Sequence, residues 1–258
     1  MAHGCELPLD EPAGSWYTAA TMASGESEVR TRNTEPRDFD GIGYLCRRVY
    51  PETSPWNPEQ LGSHLHVFPD GQFVAVHGED ERIVGMSSSV IVHWDNYDMF
   101  DSWEEFTANG MLTNHDPVKG HTLYGVEIII DPTLQGHGLG HKLLRAQKDL
   151  AQRKQLRRMR GGARLRDYHA HARRMTAPDY VVAVVHGKIV DHTLTFHLHE
   201  DFHIMAVVPH YLSDDSETLG YAALVEWLNP ETIRPEHYAA RPTRYLHRDV
   251  VRQHHPSR

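Results

Sequence analysis

The chain has 258 residues, 40% hydrophobic and 24% charged, which suits a globular protein with room for one large domain. A formal net charge of −9 disfavours general nucleic-acid binding and would help attract a cationic amine. Two cysteines, Cys5 and Cys46, cannot build a disulfide framework, the first residues lack the basic and apolar regions of a signal peptide, and no apolar run is long enough to span a bilayer. The expectation is a cytoplasmic protein that binds neither membrane nor nucleic acid.

Residues 1–26, broken by Pro, Gly, Ser and Glu, read as a flexible leader. Ser27 to Arg32 alternates as a first strand, and Asp38-Phe39-Asp40 opens a helix with Ile42, Leu45 and Val49 at helical spacing. A second helix is predicted from Pro58 to about Val67, with Leu61, Leu65 and Val67 sharing a face. Gln72–His77 and Arg82–Val92 form a hairpin around the polar turn Gly78-Glu79-Asp80-Glu81. The irregular segment from His93 to His121 carries Trp94, Tyr97, Phe100, Trp103 and Phe106, aromatics suited to a lid over a pocket or to a small satellite core.

A buried strand follows, Leu123 to Ile130, then a turn opened by Asp131-Pro132 and glycine at every second place in Gln135-Gly136-His137-Gly138-Leu139-Gly140. A helix runs on to about Lys154, with Leu139, Leu143, Ala146 and Leu150 in one stripe. Such glycines let backbone approach a ligand closely, and the helix adds the positive end of its dipole, so a phosphate or diphosphate is the natural guest. The spacing is not the G-x-G-x-x-G of dinucleotide-binding folds, and no Gly-Lys-Ser/Thr of a P-loop occurs. The basic run Arg153-Lys154-Gln155-Leu156-Arg157-Arg158-Met159-Arg160 reads as a solvated helix end, or as a source of one or two cations for a cofactor's phosphates.

Beyond it, Arg157 to Leu165 suggests a fifth strand, Asp167–Arg174 and Ala177–Val185 helical segments, and Asp191–His199 a further helix. Phe202–Pro209 and Gly220–Trp227 close the sheet, and residues 231–258 read as a polar extension. His192, His197, His199, His203 and His210 cluster in this part. His197 and His199, two apart on a helix, would diverge, so solvated or hydrogen-bonded histidines are favoured over a metal site.

The stretch Gln135-Gly136-His137-Gly138-Leu139-Gly140, behind a strand whose Ile130 stands two places before Pro132, resembles the Gln/Arg-x-x-Gly-x-Gly/Ala signature of the GNAT superfamily of acetyl-CoA-dependent N-acetyltransferases. The resemblance covers roughly residues 27–230 and is specific around 124–145. It implies an α+β (α/β) GNAT fold: a mixed central sheet of about seven strands, splayed between strands 4 and 5 and flanked by helices, with 166–188 as a helical insertion. Gly162-Ala163-Arg164-Leu165, Val184-Val185-His186-Gly187, Val208-Pro209 and Gly220-Tyr221-Ala222-Ala223-Leu224 further resemble GNAT domains that are fused in some bacterial proteins to a nitrilase-like amidohydrolase. Both cysteines lie near the N-terminus, so hydrolase activity is not expected to carry over.

The resemblance implies direct transfer of an acetyl group from acetyl-CoA, as cosubstrate, to the primary amine of a small molecule, with no metal required. The diphosphate would sit on N–H groups of Gly136, His137, Gly138, Leu139, Gly140 and His141, with Gln135 bracing the turn. The pantetheine arm would pair along Ile128, Ile129 and Ile130, in a gap opened between this strand and a parallel neighbour near Phe202–Val208. The N–H of Ile129 or Ile130 would face the developing oxyanion. Glu127, an acid in an apolar strand, is the candidate base, its alternative a strand-edge carboxylate that faces solvent or pairs with an arginine. Many relatives carry a tyrosine acid on the helix before the last strands; Thr195-Phe196-His197-Leu198-His199 has none, which leaves His197, Tyr211 and Tyr221 as candidates. In the family the first two helices border the acceptor cleft, which makes Tyr50, Trp56 and His66 candidates for acceptor contacts. A noncatalytic acyl-CoA sensor and a protein-lysine acetyltransferase are the competing readings, and a homodimer is left open.

Overall fold

The alternating and β-branched runs of the sequence do form strands. In the computed structural model, which describes residues 29–246 apart from 53, 214 and 240, they are β1 (Arg30–Asn33), β2 (Gln72–His77), β3 (Arg82–Val92), β4 (Thr122–Ile130), β5 (Arg158–Arg164), β6 (His203–Val208) and β7 (Ala222–Leu228). They make one seven-stranded sheet in the order β1-β2-β3-β4-β5-β7-β6. All neighbours are antiparallel except β4 and β5. The 1–26 leader and the start of the first predicted strand lie outside the described residues.

The helices are α1 (Phe39–Val49), α2 (Pro58–Val67), α3 (Trp103–Thr107), α4 (Leu139–Arg153), α5 (Ala177–Val185), α6 (His192–His199) and the short α7 (Pro235–Tyr238). Helix α2 is started by Asn57, whose side chain accepts from the Gln60 N–H, and α6 by Asp191, which accepts from Thr193 and Leu194. Of the predicted Leu61–Leu65–Val67 face of helix α2, Leu61 is buried and Val67 packs half-buried against the core, but Leu65 does not join it. His64 is buried in its place, because its ring reaches the Gly110 carbonyl at 2.7 Å and meets Trp56 edge-on. His66, expected near the acceptor cleft, is exposed.

Two apolar layers cover the sheet. On one face Leu139, Leu143, Leu144 and Leu150 of α4 join Tyr180 and Val184 of α5 and Leu194 of α6 over Leu123, Ala163 and Val225. On the other, Ile42 and Leu45 of α1 and Leu61 of α2 cover Val74, Met86 and Ile129, and the aromatic segment packs beside them. That segment is a satellite core rather than a lid: the Phe106 ring stacks on Trp94 and on Tyr124, at 5.3 and 4.7 Å.

The parallel partner of β4 is β5, not the Phe202–Val208 strand expected from the sequence. Helix α4 makes a crossover that returns the chain beside β4, whereas Phe202–Val208 becomes edge strand β6, held off by β7.

Candidate active site between two diverging strands

Strands β4 and β5 pair only from Thr122–Gly125 against Arg158–Gly161. Beyond this point Glu127–Ile130 pairs only with β3, and Gly162–Arg164 only with β7. The two parallel strands therefore part into a wedge whose facing backbone groups have no ladder to join. At the fork the Tyr211 ring lies against Gly162, where an added Cβ would come within 2.1 Å of Cζ, and its hydroxyl is bonded to that of Tyr124.

At the mouth of the wedge, Asp131 is 1% exposed and accepts from the Thr133 N–H and hydroxyl at 3.0 and 2.7 Å, with Arg48 of α1 at 3.0 Å. Burial pushes its carboxyl up, but the Thr133 and Arg48 donors outweigh this and hold it below the usual range. Gln135 Nε2 donates to the Ile130 carbonyl at 3.2 Å, which braces the turn against the strand end. Gly136 and Gly138 both have left-handed backbone, φ +80° and +78°, with open space where a side chain would stand. The first intrahelical bond of α4 runs from the Lys142 N–H to the Gly138 carbonyl, so Leu139, Gly140 and His141 present N–H groups that a helix leaves without partners of its own. His137 is exposed in the loop. The His141 ring is held at 2.5 Å by Glu200, which also binds Lys148 at 2.7 Å. Such a rim fits a diphosphate: small, left-handed, and lined with backbone donors at a helix start.

Glu127 owes its direction to a bulge. Its partner is Ser88, whereas Ser89 faces Gly125, so Val126 is an extra residue in β4. Strict alternation from Tyr124 would turn Glu127 toward α4; the extra residue turns Val126 and then Glu127 toward the α1 face. Trp103 Nε1 donates to the Val126 carbonyl at 3.2 Å, and Trp56 Nε1 donates to Glu127 at 2.5 Å. The two indoles lie 5.7 Å apart and wall one side of the carboxylate. Burial raises the Glu127 carboxyl above its ordinary range, and the Trp56 donor and the Arg164 charge offset only part of that. A half-buried carboxylate of this kind can take a proton from an ammonium group.

Around Glu127 stand residues that the sequence reading did not bring together. Burial and the Glu127 charge push the Cys46 thiol up to about 12. Tyr50 lies under the Arg164 guanidinium, 5.1 Å from its ring centre, and Arg164 is anchored by Asp215 at 2.6 Å. Tyr50 and Trp56 thus stand beside Arg164 and Glu127. Arg164 had a signal available, since Arg160, Gly162 and Arg164 share one face of β5 by simple alternation.

The sheet separates the other proposed catalytic groups. Tyr211 is on the Glu127 side, 2% exposed, its phenol pushed well up by burial. His197 and Tyr221 are on the α4 side. His197 Nδ1 donates to the Thr193 carbonyl at 2.8 Å and its ring meets Phe202 edge-on, while burial lowers its pKa. Tyr221 packs edge-on against Tyr168. Of the strand residues, Ile129 is buried on the Glu127 side, and Ile128 and Ile130 are half-buried toward α4. Among the described residues no group of three or more metal-ligating side chains occurs, and no helix is long and apolar enough to cross a membrane.

Comparison with known proteins identifies the family and the fold. A profile of the acetyltransferase (GNAT) family matches residues 42–176. The Bacillus subtilis (strain 168) protein called probable hydrolase YhcX is 38% identical over 223 residues; these are 85% of this chain but 43% of that protein, so the chain spans less than half of it. The uncharacterized N-acetyltransferase YkwB of the same organism is 34% identical over 202 residues, 77% of this chain and 88% of that one. Among solved structures, the GphF GNAT-like decarboxylase in complex with isobutyryl-CoA superposes with a TM-score of 0.67 at 23% identity, covering 78% of this chain and 99% of that one. The loading GNATL domain of CurA from Lyngbya majuscula gives 0.66 at 20%, covering 79% and 99%. These two likenesses concern the fold. From the profile match and the YkwB identity, the chain belongs to the GNAT acetyltransferase family.

Proposed function

We propose that the chain transfers the acetyl group of acetyl-CoA directly to the primary amine of a small molecule, with Glu127 as the base. The observation that carries this reading is the placement of Glu127, a carboxylate with a raised pKa, between Trp56 and Arg164 beside the unpaired stretch of β4. An ammonium group is no nucleophile, and a carboxylate whose pKa is drawn toward neutrality is suited to remove its proton. The amine nitrogen then attacks the thioester carbon, the C–S bond breaks, and the electron pair leaves on sulfur.

The rest of the site supports the reading. The Gly136–His141 backbone suits the diphosphate, and the edge of Ile128–Ile130 suits the peptide-like pantetheine arm, whose amides would satisfy the open ladder. The N–H of Ile129 or Ile130 is the proposed donor to the oxyanion, worth about 3 kcal/mol by analogy with other such donors. Tyr211 is the candidate on the Glu127 side for donating to the departing thiolate. The adjacent indoles of Trp56 and Trp103 favour a compact acceptor over a polypeptide.

The test is free-thiol release from acetyl-CoA across a panel of primary amines, with acetylated product identified by mass spectrometry. Amine-dependent release that is lost in Glu127→Gln supports the proposal. Acetyl-CoA binding without turnover on any amine would replace it with the sensor reading, and turnover confined to lysine-containing polypeptides with the protein acetyltransferase.

A further inference from the structure

The basic run from Arg153 to Arg160 is not used by the site described above. Helix α4 has 15 residues, about 22 Å of helix, between the glycine loop and this run, so the two lie at opposite ends. Most of the run is engaged locally: Lys154 pairs with Asp70 at 2.8 Å, and Arg158 and Arg160 share Glu226 at 3.7 and 2.6 Å. Arg157, like Arg153, is not so engaged. Among the described residues it has no carboxylate within ion-pair distance, and it lines a cavity of about 280 Å³ with His121, Gln155, Thr232, Arg234 and His237.

Every one of these six side chains can donate a hydrogen bond, and no carboxylate is among them. Arg234 too has no carboxylate partner among the described residues. His237 Nδ1 accepts from the Arg234 N–H at 3.0 Å, which leaves the proton of the neutral ring on Nε2 as a donor. The walls are tied together. Arg157 N–H donates to the His121 carbonyl at 2.9 Å, and the buried Asn229 donates to the Leu156 carbonyl at 2.8 Å and accepts from Thr232 and Ile233 through its own carbonyl at 3.1 and 3.0 Å. Thr232 also reaches the Leu156 carbonyl at 3.2 Å. The cavity thus joins three segments, before β4, before β5 and after β7, in a hydrogen-bonded frame.

We propose that this cavity binds a small dianion, a phosphoryl group or a dicarboxylate, through the two arginine forks. Guanidinium groups from two segments can each present paired N–H donors to one anion, and the glutamine and histidines supply the remaining donors, the Thr232 hydroxyl being already donated to the Leu156 carbonyl. The volume lies at the lower end of ligand pockets, enough for a small metabolite but not for a nucleotide cofactor. The site is separate from the glycine loop, and six residue steps along the strand, about 20 Å, separate His121 from Glu127.

Isothermal titration of the full chain with inorganic phosphate and with succinate, each with and without saturating CoA, tests this. One-site binding that persists under CoA and weakens at least tenfold in Arg157→Gln/Arg234→Gln supports the site, and the stronger of the two anions identifies its source. Both arginines are exposed, so the variant should fold, and an unchanged melting temperature without anion checks it. Heat that vanishes under CoA would place the anion on the glycine loop and overturn the proposal. So would equal affinity in the double variant, or no heat with either anion.

Discussion

The Trp56 indole nitrogen stands 2.5 Å from a carboxylate oxygen of Glu127 and donates a hydrogen bond to it. Trp56 precedes α2 and Glu127 lies in the middle of the sheet, so the bond joins the helical layer to the diverging strand. A donor to the charged form favours ionisation and opposes the burial that raises the carboxyl. Trp56→Phe keeps most of the packing and removes only the donor. The rising limb of kcat/KM against pH should then move to higher pH, with activity largely regained in alkali. A variant that simply loosened the cleft would lose activity at every pH.

Glu127→Gln separates chemistry from folding. Loss of the proposed base should lower kcat/KM by about 10²–10⁴-fold, with the affinity for acetyl-CoA, the proposed cosubstrate, unchanged in calorimetry. Stability should move the other way. The folded chain holds the Glu127 proton more tightly than the unfolded chain does, so this group's contribution declines as pH rises from the ordinary carboxylate range through the raised value. Glutamine has no charge to bury. The variant should therefore melt above the wild type near pH 8 and close to it near pH 4, as a thermal series over that range would record.

Much of this architecture can be read from residue order, and the failures have physical causes. The β2–β3 hairpin, β4, α4 and α6 fall where alternation, caps and helical spacing put them, and the Gly136–Gly138 turn is legible because left-handed backbone needs glycine. The partner of β4 is not legible in the sequence, because strand neighbours depend on a crossover and on β7 inserting between β5 and β6, neither of which is local in sequence. The bulge at Val126 is likewise invisible in one strand, since it exists only as a mismatch with β3. That mismatch decides which side of the sheet Glu127 shares with Tyr211 and which side is left to His197 and Tyr221. The burial of His64 is illegible for a similar reason: it depends on a carbonyl 46 residues away.

Gly138→Ala tests the proposed diphosphate loop. A methyl group there meets nothing within 4 Å, so the effect must come from backbone: alanine resists φ +78°. That strain is on the order of 1–2 kcal/mol. If the loop relaxes to avoid it, the N–H groups of α4's first turn lose their common aim. CoA affinity measured by calorimetry should fall about 5–30-fold while kcat at saturating acetyl-CoA changes little. An unchanged affinity would remove the loop from the proposed cofactor site.

Gly162→Ala addresses the fork. The new Cβ would stand 2.1 Å from Tyr211 Cζ and 2.4 Å from its hydroxyl oxygen, too close for any contact, and the ring is 2% exposed with its hydroxyl tied to Tyr124. Either the ring or β5 must shift. Overpacking of this kind costs about 1–3 kcal/mol, measurable as a lower midpoint in urea. If the clash is the cause, Tyr211→Ala should cost less in the Gly162→Ala background than in the wild type, because it then removes the obstruction as well as the packing. Additive losses in the double variant would mean that the two residues do not meet at the fork, and that the strands part there for another reason.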